Sequence, residues 1–300
     1  MAFDNLLGNE KNKEILSSTI KNNNVLHSYL FVGAEGIGKT SFAKEFAKMI
    51  LCEGENRPCN ICSSCIEFET DNHPDYMHIK PEDQKSIKIE QIRYLKEKII
   101  EKPITSNKKV YLISQCETMT REAANSLLKI LEEPPEYIVI ILTTENENKV
   151  LTTIKSRCMK LYFEPIPDDK ILSYLKHNGI DTDISENMLK MCEGSIGKAL
   201  NINEMKEKYL QIEKIVDLLE KTDITQIWKN AEVLYQEKDN IIELLSYMEI
   251  VLYNLVKNKN KIKYAKGISI IEKTKRKIMS NANFDMSIDY LLLNLWEEVN

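Results

Sequence analysis

The chain has 300 residues, 43% hydrophobic and 29% charged, with a formal net charge of −5 at pH 7. This composition is typical of an ordinary globular protein of two or three domains and excludes an intrinsically disordered one. The negative charge argues against strong autonomous binding to nucleic acid, because phosphate neutralisation needs a basic surface. We expect a cytoplasmic protein, since no apolar run approaches the roughly 20 residues of a membrane helix and no signal-peptide pattern is seen.

The first half of the chain alternates short apolar strands with segments of helical periodicity. Strands are predicted in "SYLFVG" (28–33), "DYMHIK" (75–80), "KVYLIS" (109–114), "YIVIILTT" (137–144) and "CMKLYF" (158–163). Helices are predicted between them, for example in "TSFAKEFAKMIL" and in "REAANSLLKILEE", where Pro134 stops the second. Strands separated by helices imply a parallel sheet covered on both faces. We therefore predict an α/β nucleotide-binding domain over residues 1–163.

The second half of the chain is predicted to be helical. After "EPIPDD" the strand pattern stops, and a small helical domain is expected over residues 164–206. Amphipathic patterns such as "NIIELLSYMEIVLYNLVKN" then predict a third, all-helical domain over residues 207–300. The lysine-rich segment 257–276 is interpreted as a solvated face, with a DNA-facing patch as the alternative.

The stretch "GAEGIGKT" fits the phosphate-binding pattern G-x-x-x-x-G-K-[ST] between a strand and a helix. Glycines let backbone N–H groups turn toward phosphate oxygens, Lys39 supplies a cation, and the Thr40 hydroxyl can reach a magnesium ion. The alternative is a glycine-rich turn that happens to contain Lys-Thr. The predicted ATP or ADP site comprises Gly33, Glu35, Gly36, Ile37, Gly38, Lys39, Thr40 and Ser41.

Four cysteines cluster in the segment "CEGENRPCNICSSC" that follows the phosphate-loop helix. Their spacing, C-x6-C-x2-C-x2-C, suits a closed tetrahedral site of four sulfur ligands, which leaves no open position for water. The sequence therefore predicts a structural zinc module over about residues 52–65, with an iron–sulfur cluster as the alternative. The ligands are Cys52, Cys59, Cys62 and Cys65.

The strand in "VYLISQCE" ends without the carboxylates that a hydrolytic phosphate-loop protein uses there. Ser114 and Gln115 occupy the positions where Asp and Glu are normally found, one for the magnesium shell and one for activating water. Neither a hydroxyl nor an amide can accept the proton of the attacking water. We expect poor hydrolysis by the chain alone and weak support for bound magnesium. The four histidines are interpreted as structural.

An arginine in "TIKSRC" follows the fourth predicted strand. In oligomeric NTPases an arginine of one subunit can stabilise phosphoryl charge in its neighbour, and Arg157 is our candidate for such a contact in trans. The alternative is a surface salt-bridge partner.

These motifs together resemble the bacterial clamp-loader branch of the AAA+ proteins. The resemblance rests on "LHSYLFVGAEGIGKTSFAKEFAKMILC", the cysteine cluster, "REAANSLLKILEEPPEYIVIILTTE" and "LTTIKSRC". It implies an AAA+ P-loop domain, a small lid domain and a helical collar through which a hetero-pentamer assembles. It also implies gamma/tau-like and delta-like subunits as partners, and the loading of a sliding clamp onto primed DNA for DNA polymerase III.

Two kinds of subunit within that family compete. Gamma and tau motor subunits keep Asp-Glu at the strand end, whereas delta-prime subunits resemble them but commonly lack a working site. Ser114 and Gln115 favour the delta-prime type, as does Gly197, which stands where motor subunits carry a sensor arginine. The alternatives are a motor-type subunit that uses Glu117, and a nucleotide-dependent switch outside replication.

Overall fold

A computed structural model of the chain describes residues 3–82, 85–180, 182–259 and 261–300. The chain divides into two compact units. Unit 1 comprises Met1–Ile171 and Gly194–Gly197, and unit 2 comprises Leu172–Glu193 and Lys198–Asn300. The division into three domains therefore stays a prediction. None of the described helices is long and apolar enough to cross a membrane.

Unit 1 contains a parallel sheet of five strands in the order β2-β3-β4-β1-β5. Every residue of β1, β3 and β4 is buried, as expected for strands covered on both faces. The predicted α/β class with a parallel sheet is confirmed. The strands are β1 (Ser28–Val32), β2 (Tyr76–Ile79), β3 (Lys109–Ile113), β4 (Ile138–Thr144) and β5 (Met159–Tyr162).

Helices cover both faces of this sheet and divide its core in two. One apolar cluster joins the sheet to α4 and α5, as in the packing of Ile92 and Leu127, and the other joins it to α2, as in the packing of Phe42 and Phe46. The first seven helices are α1 (Glu10–Lys21), α2 (Lys39–Leu51), α3 (Ser63–Glu69), α4 (Ile89–Ile100), α5 (Arg121–Glu132), α6 (Thr152–Lys155) and α7 (Asp168–His177).

A polar network anchors the loop between α4 and β3. The buried carboxylate of Asp75 accepts the backbone N–H groups of Ile104, Thr105 and Ser106 at 2.8, 2.8 and 2.9 Å. The hydroxyl of Ser106 donates to the carbonyl oxygen of Leu51 at 2.7 Å. The loop is thus tied both to the start of β2 and to the end of α2.

Unit 2 is built from helices alone among the residues described. Within it α13 packs against both α12 and α14, and Gly267 permits the close approach, because a Cβ there would lie 2.9 Å from Leu252 and 3.0 Å from Leu295. The remaining helices are α8 (Glu186–Cys192), α9 (Ile196–Leu218), α10 (Ile224–Asn230), α11 (Glu232–Gln236), α12 (Ile241–Lys259), α13 (Ala265–Met279) and α14 (Phe284–Val299).

Candidate functional site

The phosphate-loop sequence forms the turn between β1 and α2, where the motif predicts it. Gly36 and Gly38 have φ angles of 68° and 99°, which side chains of L-residues rarely tolerate. Gly38 is the N-cap of α2, so the first backbone N–H groups of the helix follow directly after the loop. A helix N-terminus reached through such a loop can bind phosphate.

The ammonium group of Lys39 is held by its own loop. Its Nζ donates to the carbonyl oxygens of Gly33 at 2.8 Å and of Ala34 at 2.6 Å, and the residue is only 7% exposed. Burial lowers the pKa of Lys39, while Glu145 and Glu117 act in the opposite direction. Binding of a phosphate by this lysine therefore requires the bonds to the loop to be exchanged.

Gly197, at the start of α9, contacts the phosphate loop directly. Its backbone N–H donates to the carbonyl oxygen of Gly36 at 3.1 Å. A Cβ at this position would lie 3.0 Å from the Cα of Gly36, so a side chain here would force the loop or the helix end to shift. The contact gives a steric reason for glycine at this position.

The hydroxyl of Ser114, at the end of β3, pairs with a histidine of the neighbouring strand. Ser114 Oγ lies 2.8 Å from His78 Nε2. Burial, with Lys44 and Lys80 adding to its effect, lowers the pKa of His78 to about 4, so the imidazole is neutral at pH 7. The structural interpretation of this histidine missed the pairing, which depends on β2 lying beside β3 in the sheet.

Carboxylates gather near Lys39 from elements other than the end of β3. Glu117 Oε1 accepts the backbone N–H of Glu145 at 2.9 Å. Glu117 Oε2 is buried without a hydrogen-bond partner among the described residues. Burial raises the pKa of Glu145, and Glu35 adds to the effect. Glu145 was missed in the sequence, although it directly follows a predicted strand.

The four clustered cysteines converge on one point. Their Sγ atoms all lie within 4.8 Å of one another, and those of Cys52 and Cys62 are 4.0 Å apart. Four sulfurs at about 2.3 Å from a tetrahedral zinc ion would be roughly 3.8 Å apart, so a small contraction of the cluster suffices. The donor set therefore fits a four-thiolate metal ion.

Backbone N–H groups point at these sulfurs and favour their charged form. Cys52 Sγ accepts from Gly54 and Cys59 at 3.3 Å each, and Cys59 Sγ accepts from Cys62 at 3.4 Å. N–H donors at Ile61 and Cys62 lower the pKa of Cys59 to about 6, whereas burial raises the pKa of Cys52 and of Cys65. Ligating cysteines must be deprotonated, so these N–H contacts partly offset the effect of burial on the thiols.

Arg157 lies on the surface of unit 1, just before β5. Its Nη1 donates to the carbonyl oxygen of Thr153 at 2.8 Å, and its Nη2 lies 2.9 Å from Glu132 Oε1. The side chain is 33% exposed. The salt-bridge alternative is thus realised in geometry, while about a third of the side chain stays in contact with solvent.

The chain is similar to a known family and to several known proteins. The family described as "DNA polymerase III, delta subunit" matches residues 8–167. The delta' subunit of DNA polymerase III from Bacillus subtilis (strain 168) is 30% identical, over 95% of each chain. The chain belongs to this family of DNA polymerase III clamp-loader subunits. It is therefore a DNA replication protein, as its motifs predict.

Other subunit types of the family are also similar to the chain. A gamma/tau subunit from Mycoplasma genitalium is 28% identical over 99% of this chain, which spans only 53% of that relative. The crystal structure of a gamma subunit-related protein from Thermotoga maritima shares the fold, with a TM-score of 0.51 at 19% identity over 95% of this chain and 99% of that one. The chain is thus similar to both types of subunit, and the residues of the site must distinguish between them.

Proposed function

We propose that the chain is a delta-prime-type clamp-loader subunit that completes the ATP site of a neighbouring subunit in trans. The observation that carries the proposal is the end of β3, where the hydroxyl of Ser114 pairs with a neutral histidine in place of a magnesium-binding carboxylate. In this role the chain joins gamma/tau-like and delta-like subunits and helps them to load the sliding clamp onto primed DNA in the cytoplasm.

Slow hydrolysis follows from the groups at that strand end. A hydroxyl contributes no charge to a magnesium shell, and an amide cannot take the proton of an attacking water. Ser114 is already paired with His78. Nucleotide bound to the loop would then serve a structural role in this subunit.

One observation favours a motor-type subunit as a second candidate. The carboxylate of Glu117 partly opposes the lowering of the Lys39 pKa by burial, and it has one oxygen without a partner in the described part of the chain, so it could act as an unorthodox base. Steady-state ATP turnover by the purified chain separates the candidates. Substantial turnover that is lost in both Lys39→Ala and Glu117→Gln would support the motor-type subunit.

Nucleotide is expected to bind through the phosphate loop and to depend on Lys39. Lys39→Ala should weaken ATP affinity about tenfold or more, because the cation that faces the phosphates is removed. Equilibrium titration with ATP and ADP provides the measurement. Lys11→Ala, a change of an exposed lysine on α1, is the matched control and should leave affinity unchanged. Equal affinity of the Lys39→Ala chain would contradict nucleotide binding at this loop.

The trans role is tested by Arg157→Ala in a reconstituted clamp loader. An added positive charge stabilises the charge that develops during phosphoryl transfer, and such arginines are worth roughly 10³ to 10⁵ in rate elsewhere. Only the active site that depends on this interface would be affected, so we expect a partial loss of ATP turnover and of clamp loading. The assay is DNA- and clamp-stimulated ATP hydrolysis at equal assembly.

The controls of that experiment separate charge from geometry. Arg157→Lys should restore little, because a compact ammonium group cannot reproduce the planar donor fork of a guanidinium. Unchanged turnover and loading by an intact complex that contains the Arg157→Ala subunit would reject the trans role and leave Arg157 with its contacts within unit 1.

A further inference from the structure

The guanidinium group of Arg157 is held in place from two sides. Thr153, on α6, accepts from Nη1 at 2.8 Å, and the carboxylate of Glu132 accepts from Nη2 at 2.9 Å. An arginine side chain has five N–H donors in a rigid plane, so three remain for another partner. Both contacts lie within unit 1.

Glu132 lies at the end of a helix that is packed into the core of unit 1. It is the last residue of α5, whose side chains Leu127 and Leu131 are buried in the core. Pro134 and Pro135 follow and cannot continue the helix. The carboxylate therefore projects from a fixed helix end, although it is itself half exposed.

The ion pair contributes little to folding stability. Exposed pairs of this kind gain modest Coulomb energy, and water and salt screen them. An unrestrained arginine side chain, by contrast, samples many rotamers, and binding a phosphate from that ensemble costs entropy. Holding the guanidinium in one orientation beforehand lowers that cost, which is how a partner residue can affect a reaction without touching the substrate.

We propose that Glu132 is a positioning residue for Arg157, holding the guanidinium so that its remaining N–H groups face the nucleotide phosphates of a neighbouring subunit. The proposal rests on the trans role of Arg157 proposed above. Glu132 would accept no proton and contact no substrate, since its carboxylate bonds to the arginine itself.

The test compares five versions of the subunit in reconstituted clamp loader: Glu132→Ala, Glu132→Gln, Arg157→Ala, the double variant Glu132→Ala with Arg157→Ala, and Glu133→Ala. Clamp- and DNA-stimulated ATP turnover is measured at equal assembly, with thermal unfolding of each subunit alongside. Glu133 is the matched control, because it is the adjacent exposed glutamate of the same helix end.

Glu132→Ala is expected to lower the Arg157-dependent share of kcat several-fold, with KM for ATP and the unfolding temperature unchanged. Glu132→Gln keeps an acceptor oxygen and should retain more of that share, and Glu133→Ala should match the unaltered chain. The double variant should equal Arg157→Ala alone, because a positioning residue has nothing left to position.

Three results would overturn the proposal. If Arg157→Ala lowers ATP turnover and Glu132→Ala does not, the positioning role of Glu132 is rejected and the trans role of Arg157 is retained. If the double variant has lower ATP turnover than Arg157→Ala alone, Glu132 acts through a separate structural effect and not through Arg157. No loss with Arg157→Ala rejects the trans role and the positioning role together.

Discussion

Replacement of Cys62 by serine is expected to abolish stoichiometric zinc binding and to unfold the segment between α2 and α3 locally. Cys62 has two roles here. Its sulfur is one of the four that converge, and the same Sγ caps the N-terminus of α3 by accepting the backbone N–H of Cys65 at 3.4 Å. Structural zinc contributes roughly 10 to 16 kcal/mol of apparent binding free energy in small zinc modules, so losing a ligand removes most of the driving force for closing this polar loop.

The unfolding should remain local, because α3 has other attachments. Ser64, on α3, donates to the carbonyl oxygen of Leu51 at 2.8 Å and lies 2.9 Å from His73 Nε2. Metal analysis of protein purified without chelator, with limited proteolysis of residues 52–65, provides the measurement. Cys158→Ser is the matched control, since this cysteine lies outside the cluster and should not affect metal content. Absence of zinc from the unaltered protein would contradict the assignment.

Asp75→Ala is expected to destabilise unit 1 by roughly 3 to 5 kcal/mol, because three backbone N–H groups lose a charged acceptor at once. The carboxylate is 2% exposed, and the donors at Ile104, Thr105 and Ser106 lie within 2.9 Å of it. Burying donors without partners is costly, and the loop before β3 would lose its anchor at the edge of the sheet.

Urea unfolding of the full chain, followed by a probe in unit 1, would measure this effect. Asp75→Asn has nearly the same shape but lacks the charge, so its loss of stability should be smaller than that of Asp75→Ala. Glu133→Ala, a change at an exposed position, should alter the free energy of unfolding by less than about 0.5 kcal/mol. If Asp75→Ala lowers the free energy of unfolding by less than about 1 kcal/mol, water replaces the carboxylate as the acceptor for the three backbone N–H groups.

Local patterns were sufficient to predict the sheet, the loop before α2 and the clustering of the four cysteines. The five strands lie where alternating apolar runs indicate them, and the phosphate loop and the cysteine cluster are each contained in one short segment. In such cases the residues that form a feature are neighbours in the sequence. The structure only adds their geometry.

The unpredicted contacts join residues that are far apart in the chain. His78 reaches Ser114 because β2 lies beside β3, and Gly197 reaches Gly36 because the start of α9 returns to the phosphate loop. Neither the strand order nor that return is encoded in a periodic pattern. Glu132 likewise lies in a recognisable sequence motif, but its contact with Arg157 is seen only once α5 and α6 are packed together.

The position of β1 in the sheet has a consequence for how the chain folds on the ribosome. This strand pairs with β4 on one side and β5 on the other, which are the last two strands of the sheet to be synthesised. The nascent phosphate loop therefore leaves the ribosome long before its supporting strand has neighbours. Contacts so distant in sequence form slowly, and an unpaired apolar strand is prone to aggregation meanwhile. We expect chains truncated before Ile138, in which β1 lacks both neighbours, to need chaperones to stay in solution, whereas chains that extend beyond β5 can close the sheet.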